Sequence, residues 1–308
     1  MKIGAIFPTT EIGNDPSAIR DWAQAAEDLG YSYILLYDHV LGAERHDRDP
    51  EFFGPYGEND PFHEVFVTMG YLAAATSTIG LATGVLILPQ RQTALAAKQA
   101  AEVQVLSEGR LRLGVGSGWN YVEYESLGVE FRGRGKLFTE QVELMRQLWA
   151  EPVLDYTGRF HRVDRAGILP RPSSAIPIWF GGFSEPAFRR AARLGDGFIY
   201  ASRPSLMAPM HTRMKEHLES CGRDASSFGA EAMVDFSAGP EVWEPELERW
   251  RQEAGTHLAL RAMDTGAEFI GERHHGYAGP DDYIDALRVF MATAAPYCAQ
   301  EGTAAAPR

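Results

Sequence analysis

Four short stretches of the sequence carry residue types that can hold a flat ring and move a proton: Asp38-His39, Gly84-Val85, Gly116-Ser117-Gly118 and Gly181-Gly182-Phe183-Ser184. Histidine titrates near neutrality, so His39 can donate a proton or hydrogen-bond a ring carbonyl or nitrogen. Asp38 beside it is equally suited to capping a turn. Three glycines between Gly114 and Gly118 let a ring or phosphate approach the backbone, although a bulge at a sheet rim would use the same residues. Gly84 interrupts the apolar run from Ala82 to Leu86, which is costly in a strand unless something comes close to it. Gly181-Gly182 frees backbone amides just ahead of Ser184, a natural helix N-cap, with Pro186 suited to the first turn. Amides at a helix start attract phosphate through geometry and dipole, while a plain capped junction would need the same residues.

The elements that must position these stretches alternate. Short β-rich runs are expected at residues 2–7, 33–37, 79–86, 111–115, 177–181, 197–200, 231–236 and 257–261. Helices are expected between and after them at 16–29, 63–76, 93–107, 135–150, 185–194, 205–221, 242–254 and 280–294, the first capped by Asp15 and ended at Gly30. Eight strand–helix units imply a parallel sheet, and the nearly continuous apolar strands imply burial on both faces. A doubly wound sheet would announce itself by G-x-G-x-x-G after the first strand, where this chain has Phe7-Pro8-Thr9-Thr10. The expected fold is therefore an α/β protein, a (β/α)8 TIM barrel with insertions after strands 2, 4 and 8. The four stretches then share the C-terminal mouth, where barrel enzymes bind ligands.

Three segments exceed the repeat. Residues 42–62, rich in charge and aromatics, are expected to form a lid over the mouth, with Phe52, Phe53, Tyr56 and Phe62 excluding water. Residues 151–176 contain a hairpin tip at Tyr156-Thr157-Gly158-Arg159-Phe160, and residues 264–279 follow the eighth strand. Residues 1–300 are expected to form one domain and 301–308 a disordered tail.

With 308 residues, 45% of them hydrophobic, the chain can bury a large core without staples. A formal net charge of −13 argues against a nucleic-acid partner. No apolar run approaches a membrane span, and nothing at the N-terminus reads as a signal peptide. Only Cys221 and Cys298 occur, so neither a disulfide framework nor a cysteine zinc site is expected, which suits a reducing cytoplasm. His46-Asp47, His63-Glu64 and His274-His275 lack metal-ligand spacing, and no metal site is expected. Gly116-Ser117-Gly118 is not a nucleophile elbow.

Taken together, Tyr37-Asp38-His39, Ser107-Glu108-Gly109-Arg110-Leu111 leading to Gly114-Val115-Gly116-Ser117-Gly118-Trp119, Leu127-Gly128-Val129 with Phe131-Arg132-Gly133-Arg134-Gly135, and Pro177-Ile178-Trp179-Phe180-Gly181-Gly182 with Ala191-Ala192-Arg193-Leu194-Gly195-Asp196-Gly197-Phe198 resemble the luciferase-like monooxygenase superfamily. They are most similar to its branch that depends on the deazaflavin coenzyme F420. The resemblance implies an oxidoreductase that transfers hydride between reduced F420 and a small organic substrate. Related chains use FMN with molecular oxygen instead, and a barrel that binds a flavin without turnover is a further alternative. It implies that His39 is the catalytic proton donor and that Asp38, His39, Gly84, Val85, Gly116, Ser117 and Gly118 line the cofactor. It implies a phosphate at Gly181, Gly182, Phe183 and Ser184, a non-proline cis bond at Gly84–Val85, an insertion at 120–134 and a homodimer. Gly118 brings no carboxylate, which leaves His39 as the group to move a proton. An anionic glutamyl tail on a chain this acidic would need a basic path, for which Arg45, Arg48, Arg132, Arg134 and Lys136 are the candidates.

Overall fold

The structure is a computed structural model that describes residues 1–298. The expected tail at 301–308 and the last two residues of the expected domain lie outside the described residues. In chain order the elements are β1 (Lys2–Ile6), α1 (Pro16–Asp28), β2 (Tyr33–Leu36), α2 (Val65–Ala75), β3 (Gly80–Thr83), β4 (Leu86–Ile87), α3 (Thr93–Leu106), β5 (Leu111–Gly116), α4 (Tyr121–Ser126) and α5 (Arg134–Ala150). They continue with β6 (Leu154–Thr157), β7 (Arg162–Ala166), β8 (Ile178–Gly181), α6 (Glu185–Leu194), β9 (Gly197–Ile199), α7 (Pro204–Ser220), β10 (Gly229–Asp235), α8 (Pro240–Gln252), β11 (His257–Arg261) and α9 (Pro280–Ala294).

The main sheet runs β3-β2-β1-β11-β10-β9-β8-β5-β4, and an added β3–β5 pairing closes it into a ring. Every pairing in the ring is parallel, with Ala5 opposite Ile34 on one side and Leu260 on the other. Counting β3 and β4 as two pieces of one strand, this is the eight-stranded TIM barrel that the alternation predicts. The expected third strand, 79–86, is cut in two by a cis peptide at Gly84–Val85.

Alternate strand residues sort into two cores, as the pleat requires. Ile6, Tyr33, Leu35, Ala82, Trp179, Ile199, Met233 and Ala259 fill the barrel. Ile3, Ala5, Ile34, Leu36, Leu81 and Leu113 face outward into the helix layer. Helix α1 begins where Asp15 accepts the Ser17 amide at 2.9 Å, and Gly30, at φ +83°, ends it. The expected hairpin is β6–β7, antiparallel. It folds back on α5, where Glu140 accepts the amides of Arg159, Phe160 and His161.

One end of the barrel is plugged. The Arg112 guanidinium lies between the rings of Tyr33 (4.5 Å) and Trp179 (4.2 Å) and pairs with Glu231, which also accepts from the Tyr33 hydroxyl at 2.9 Å. These residues sit at or near the strand starts, so only the C-terminal end is left open for a ligand.

Candidate active site

A cavity of about 560 Å³ occupies that open end, within the range of small-molecule and cofactor sites. The structure brings all eleven residues singled out in the sequence to its lining: Asp38, His39, Gly84, Val85, Gly116, Ser117, Gly118, Gly181, Gly182, Phe183 and Ser184.

The ends of β4, β5 and β8 form a wall with few side chains. Glycines of this wall also have a packing reason within the protein. A Cβ on Gly116 would stand 2.4 Å from Cγ2 of Val85, and one on Gly181 would stand 2.8 Å from Val85 Cγ1. Both glycines make room for Val85, and a Cβ on Gly118 would likewise meet Cγ2 of Ile87 at 2.7 Å. Beyond this wall the amides of Gly182, Phe183 and Ser184 donate to no protein acceptor among the described residues. Ser184 occupies the N-cap position of α6 as expected, but its hydroxyl makes no capping bond. The Glu185 carboxylate is drawn away toward α7 by Arg213 and His217, both at 2.8 Å, so it does not compete for the loop.

The two residues at the end of β2 divide their work. The Asp38 carboxylate accepts the Ile87 amide at 2.9 Å and pairs with Arg91 at 2.6 Å, and Arg91 in turn reaches Glu64 at 3.2 Å. Asp38 lines the cavity, yet its charge is spent on holding β2 to β4. The His39 ring is packed against Tyr56, Phe62 and Trp119, with centroids at 5.4, 4.9 and 5.4 Å. Its Nδ1 is 3.3 Å from Oε2 of Glu123, and its Nε2 has no protein partner among the described residues.

Glu123 is a site residue that the sequence reading missed. Its side chain is fully buried. It accepts from the Val40 amide, the Leu41 amide at 3.1 Å, the Gln90 amide group at 2.9 Å and His39. Burial pushes this carboxyl up, but the bonds and charge of His39, with the Val40 amide and Gln90, hold it below the usual carboxylate range. A signal was present. Asn120 caps α4 by accepting the Glu123 amide at 3.1 Å, so Asn-x-x-Glu reads as a capping box. What the spacing did not say is that this glutamate turns to β2 instead of back to its own helix.

The other arc of the ring, β2-β1-β11-β10, carries groups that the sequence reading did not assemble. Tyr37, Tyr56, Asp235, Arg261, Arg203 and Glu272 all line the cavity. Arg261 pairs with Asp235, and Arg203 stands 3.8 Å from Glu272. Burial pushes the Tyr56 hydroxyl up to about 12.

The expected lid is only partly what its composition implied. Phe53 is 78% exposed and meets Phe269 across the mouth at 5.1 Å. Phe52 is instead buried, anchored on Trp119 at 5.3 Å. The expected basic path also changes. Arg134 donates to the carbonyls of Ser117 (3.0 Å), Phe131 (3.0 Å) and Gly118 (3.2 Å) and lies 3.7 Å over the Phe131 ring, so it clamps the glycine loop. Arg48 donates to the Glu44 carbonyl. Arg45, Arg132 and Lys136 are exposed. Among the described residues there is no metal-competent cluster of three or more His, Cys, Asp or Glu, and no helix is long and apolar enough to cross a membrane.

The profile of the luciferase-like monooxygenase family matches residues 1–291. The chain is 30% identical over 242 residues to an F420-dependent glucose-6-phosphate dehydrogenase of Segniliparus rotundus, covering 74% of this chain and 67% of that one. It is 32% identical over 253 residues to the pyrimidine monooxygenase RutA of Escherichia coli, covering 74% and 66%. An F420-dependent secondary alcohol dehydrogenase solved with an F420–acetone adduct has the same fold, with a TM-score of 0.67 at 20% identity over 95% of this chain and 83% of that one.

Proposed function

Because the chain belongs to the luciferase-like monooxygenase family, we propose that it is an oxidoreductase that transfers a hydride between reduced coenzyme F420 and a small organic substrate. The observation that carries this reading is the company His39 keeps. Its ring, tied through Nδ1 to buried Glu123, shares one cavity with a glycine-lined wall and a row of unused amides at Gly182, Phe183 and Ser184.

That wall fits an isoalloxazine-type ring. Its glycines leave it low, with Val85 and Ile87 as its apolar side chains, and the three amides at the head of α6 suit a phosphate on the ring's side arm. When bound, the deazaflavin supplies a carbon centre that gives or takes hydride. A carbonyl carbon that gains hydride needs a proton at its oxygen, and His39 is placed to provide it from Nε2. Glu123 fixes the ring so that this nitrogen points to the cavity. Tyr56, Phe62 and Trp119 pack around the imidazole and keep water from it. The F420-dependent relative and the exposed cations Arg45, Arg132 and Lys136 support the deazaflavin.

One observation favours a second reading, an FMN-dependent monooxygenase. Arg134 is committed to the glycine loop, which shortens the basic path that a glutamyl tail would follow, and FMN needs only the phosphate contacts. The monooxygenase relative agrees with it. Titrating protein with F420 and with FMN, following quenching of cofactor fluorescence, separates the two. F420 binding with hydride transfer supports the first reading. FMN binding with oxygen consumption supports the second, and binding without turnover of any reductant–acceptor pair marks a barrel that only holds a flavin. A homodimer and a cytoplasmic location belong to the same reading, and gel filtration with light scattering tests the first of these.

A further inference from the structure

Two phenols project into the cavity without proper partners. The Tyr37 hydroxyl reaches only the Met233 thioether, at 3.7 Å, and the Tyr56 hydroxyl has no partner among the described residues. Sulfur is a weak acceptor, so both hydroxyls keep hydrogen bonds to give. Their rings lie 6.5 Å apart, one at the end of β2 and the other on the segment that crosses the mouth. The cavity they line also carries Ile199, Met233, Phe53, Phe269 and Ile270. The charges on this arc cancel, since Arg261 is held by Asp235 and by the Thr265 carbonyl, and Arg203 faces Glu272.

We infer that this arc is the substrate subsite, and that it takes an uncharged, largely apolar molecule whose single carbonyl or hydroxyl oxygen sits between the Tyr37 and Tyr56 hydroxyls. A phosphate or carboxylate would need an uncompensated cation, and each cation lining the cavity already has its counter-charge. Burying a second anion against Asp235 and Glu272 would be unfavourable. A neutral oxygen needs only donors, and two are free. The proposal rests on the reading that the β4-β5-β8 arc holds the cofactor ring, because only then is the β2-β10 arc left for substrate.

Cofactor binding is measured first, by fluorescence quenching, so failure of the underlying reading shows before any substrate probe is added. The probe is 2-cyclohexen-1-one, titrated with and without cofactor and followed by intrinsic tryptophan fluorescence, since Trp119 lines the cavity. The comparators are 3-oxocyclohexane-1-carboxylate and glucose 6-phosphate. The neutral ketone is expected to bind saturably and at least about ten-fold more tightly than either anion. Tyr37→Phe and Tyr56→Phe are each expected to weaken its binding about 3- to 10-fold, with cofactor quenching unchanged. Equal or tighter binding of an anion, no saturable binding of the ketone in either state, or tyrosine variants that lower cofactor affinity and leave ketone affinity alone would each overturn the proposal.

Discussion

Nδ1 of His39 and Oε2 of Glu123 lie 3.3 Å apart, in a pair whose side chains are 8% and 0% exposed. One carboxylate thereby does two jobs. It holds Nδ1 of the cavity-lining His39, leaving Nε2 without a protein partner among the described residues, and it satisfies the Val40 and Leu41 amides where the chain leaves β2. The catalytic candidate and the backbone that carries it share a single anchor.

Glu123→Gln should therefore cost stability as well as turnover. Removing a buried charge that accepts from several donors is expected to destabilise by about 2–4 kcal/mol at pH 7. The carboxyl titrates below its ordinary 4.5 in the folded protein. Its contribution is thus complete above that value and is lost as pH falls through the lower folded value. Urea unfolding of both proteins between pH 7 and 3 should show the gap closing in acid. A gap that stays constant would contradict this account.

His39→Ala should lower turnover about 10²- to 10⁴-fold, the usual worth of a positioned acid or base, while cofactor quenching is largely retained. Steady-state rates alongside a fluorescence titration check both halves. Unchanged turnover would remove His39 from the mechanism.

Gly116→Ala should destabilise by about 1–3 kcal/mol, because the new methyl meets Val85 Cγ2 at 2.4 Å. Adding Val85→Ala relieves that overlap, so the pair should be less damaging than the sum of the two single changes. Thermal melts of the four proteins measure the coupling. Strict additivity would mean that Val85 is not what the glycine accommodates.

Far from the mouth, His211 is buried between the Tyr200 hydroxyl (3.2 Å) and the Glu253 carbonyl (3.1 Å). Burial, aided by Lys215, pulls it down from 6.5 to about 4. The unfolded chain takes up a proton below 6.5 that the folded protein refuses until about 4, so stability falls across that window as pH drops. The loss is at most about 3 kcal/mol. His211→Gln should show a flatter pH dependence in denaturant titrations between pH 7 and 4, and a variant curve as steep as the wild type would refute the assignment.

Much of this protein was legible in its residues because the relevant signals are local. The period of the apolar residues, Asp15 and Gly30 at the ends of α1, and the absence of a glycine loop after Phe7 were enough for eight strand–helix units and a barrel. Strand ends in a barrel must converge, so the order of the strands alone puts the four stretches from Asp38 to Ser184 at one mouth. The rest depended on closure of the ring, whose register decides which side chains meet across it. Closure seats Val85 between Gly116 and Gly181, pairs the cavity-lining Asp38 with Arg91, and ties Arg134 to the glycine loop. It also brings Glu123 under His39, and Tyr37 onto the same arc as Tyr56 and Arg261. Spacing along the chain carries no record of contacts between residues so far apart, because they exist only once the parallel strands have paired in register.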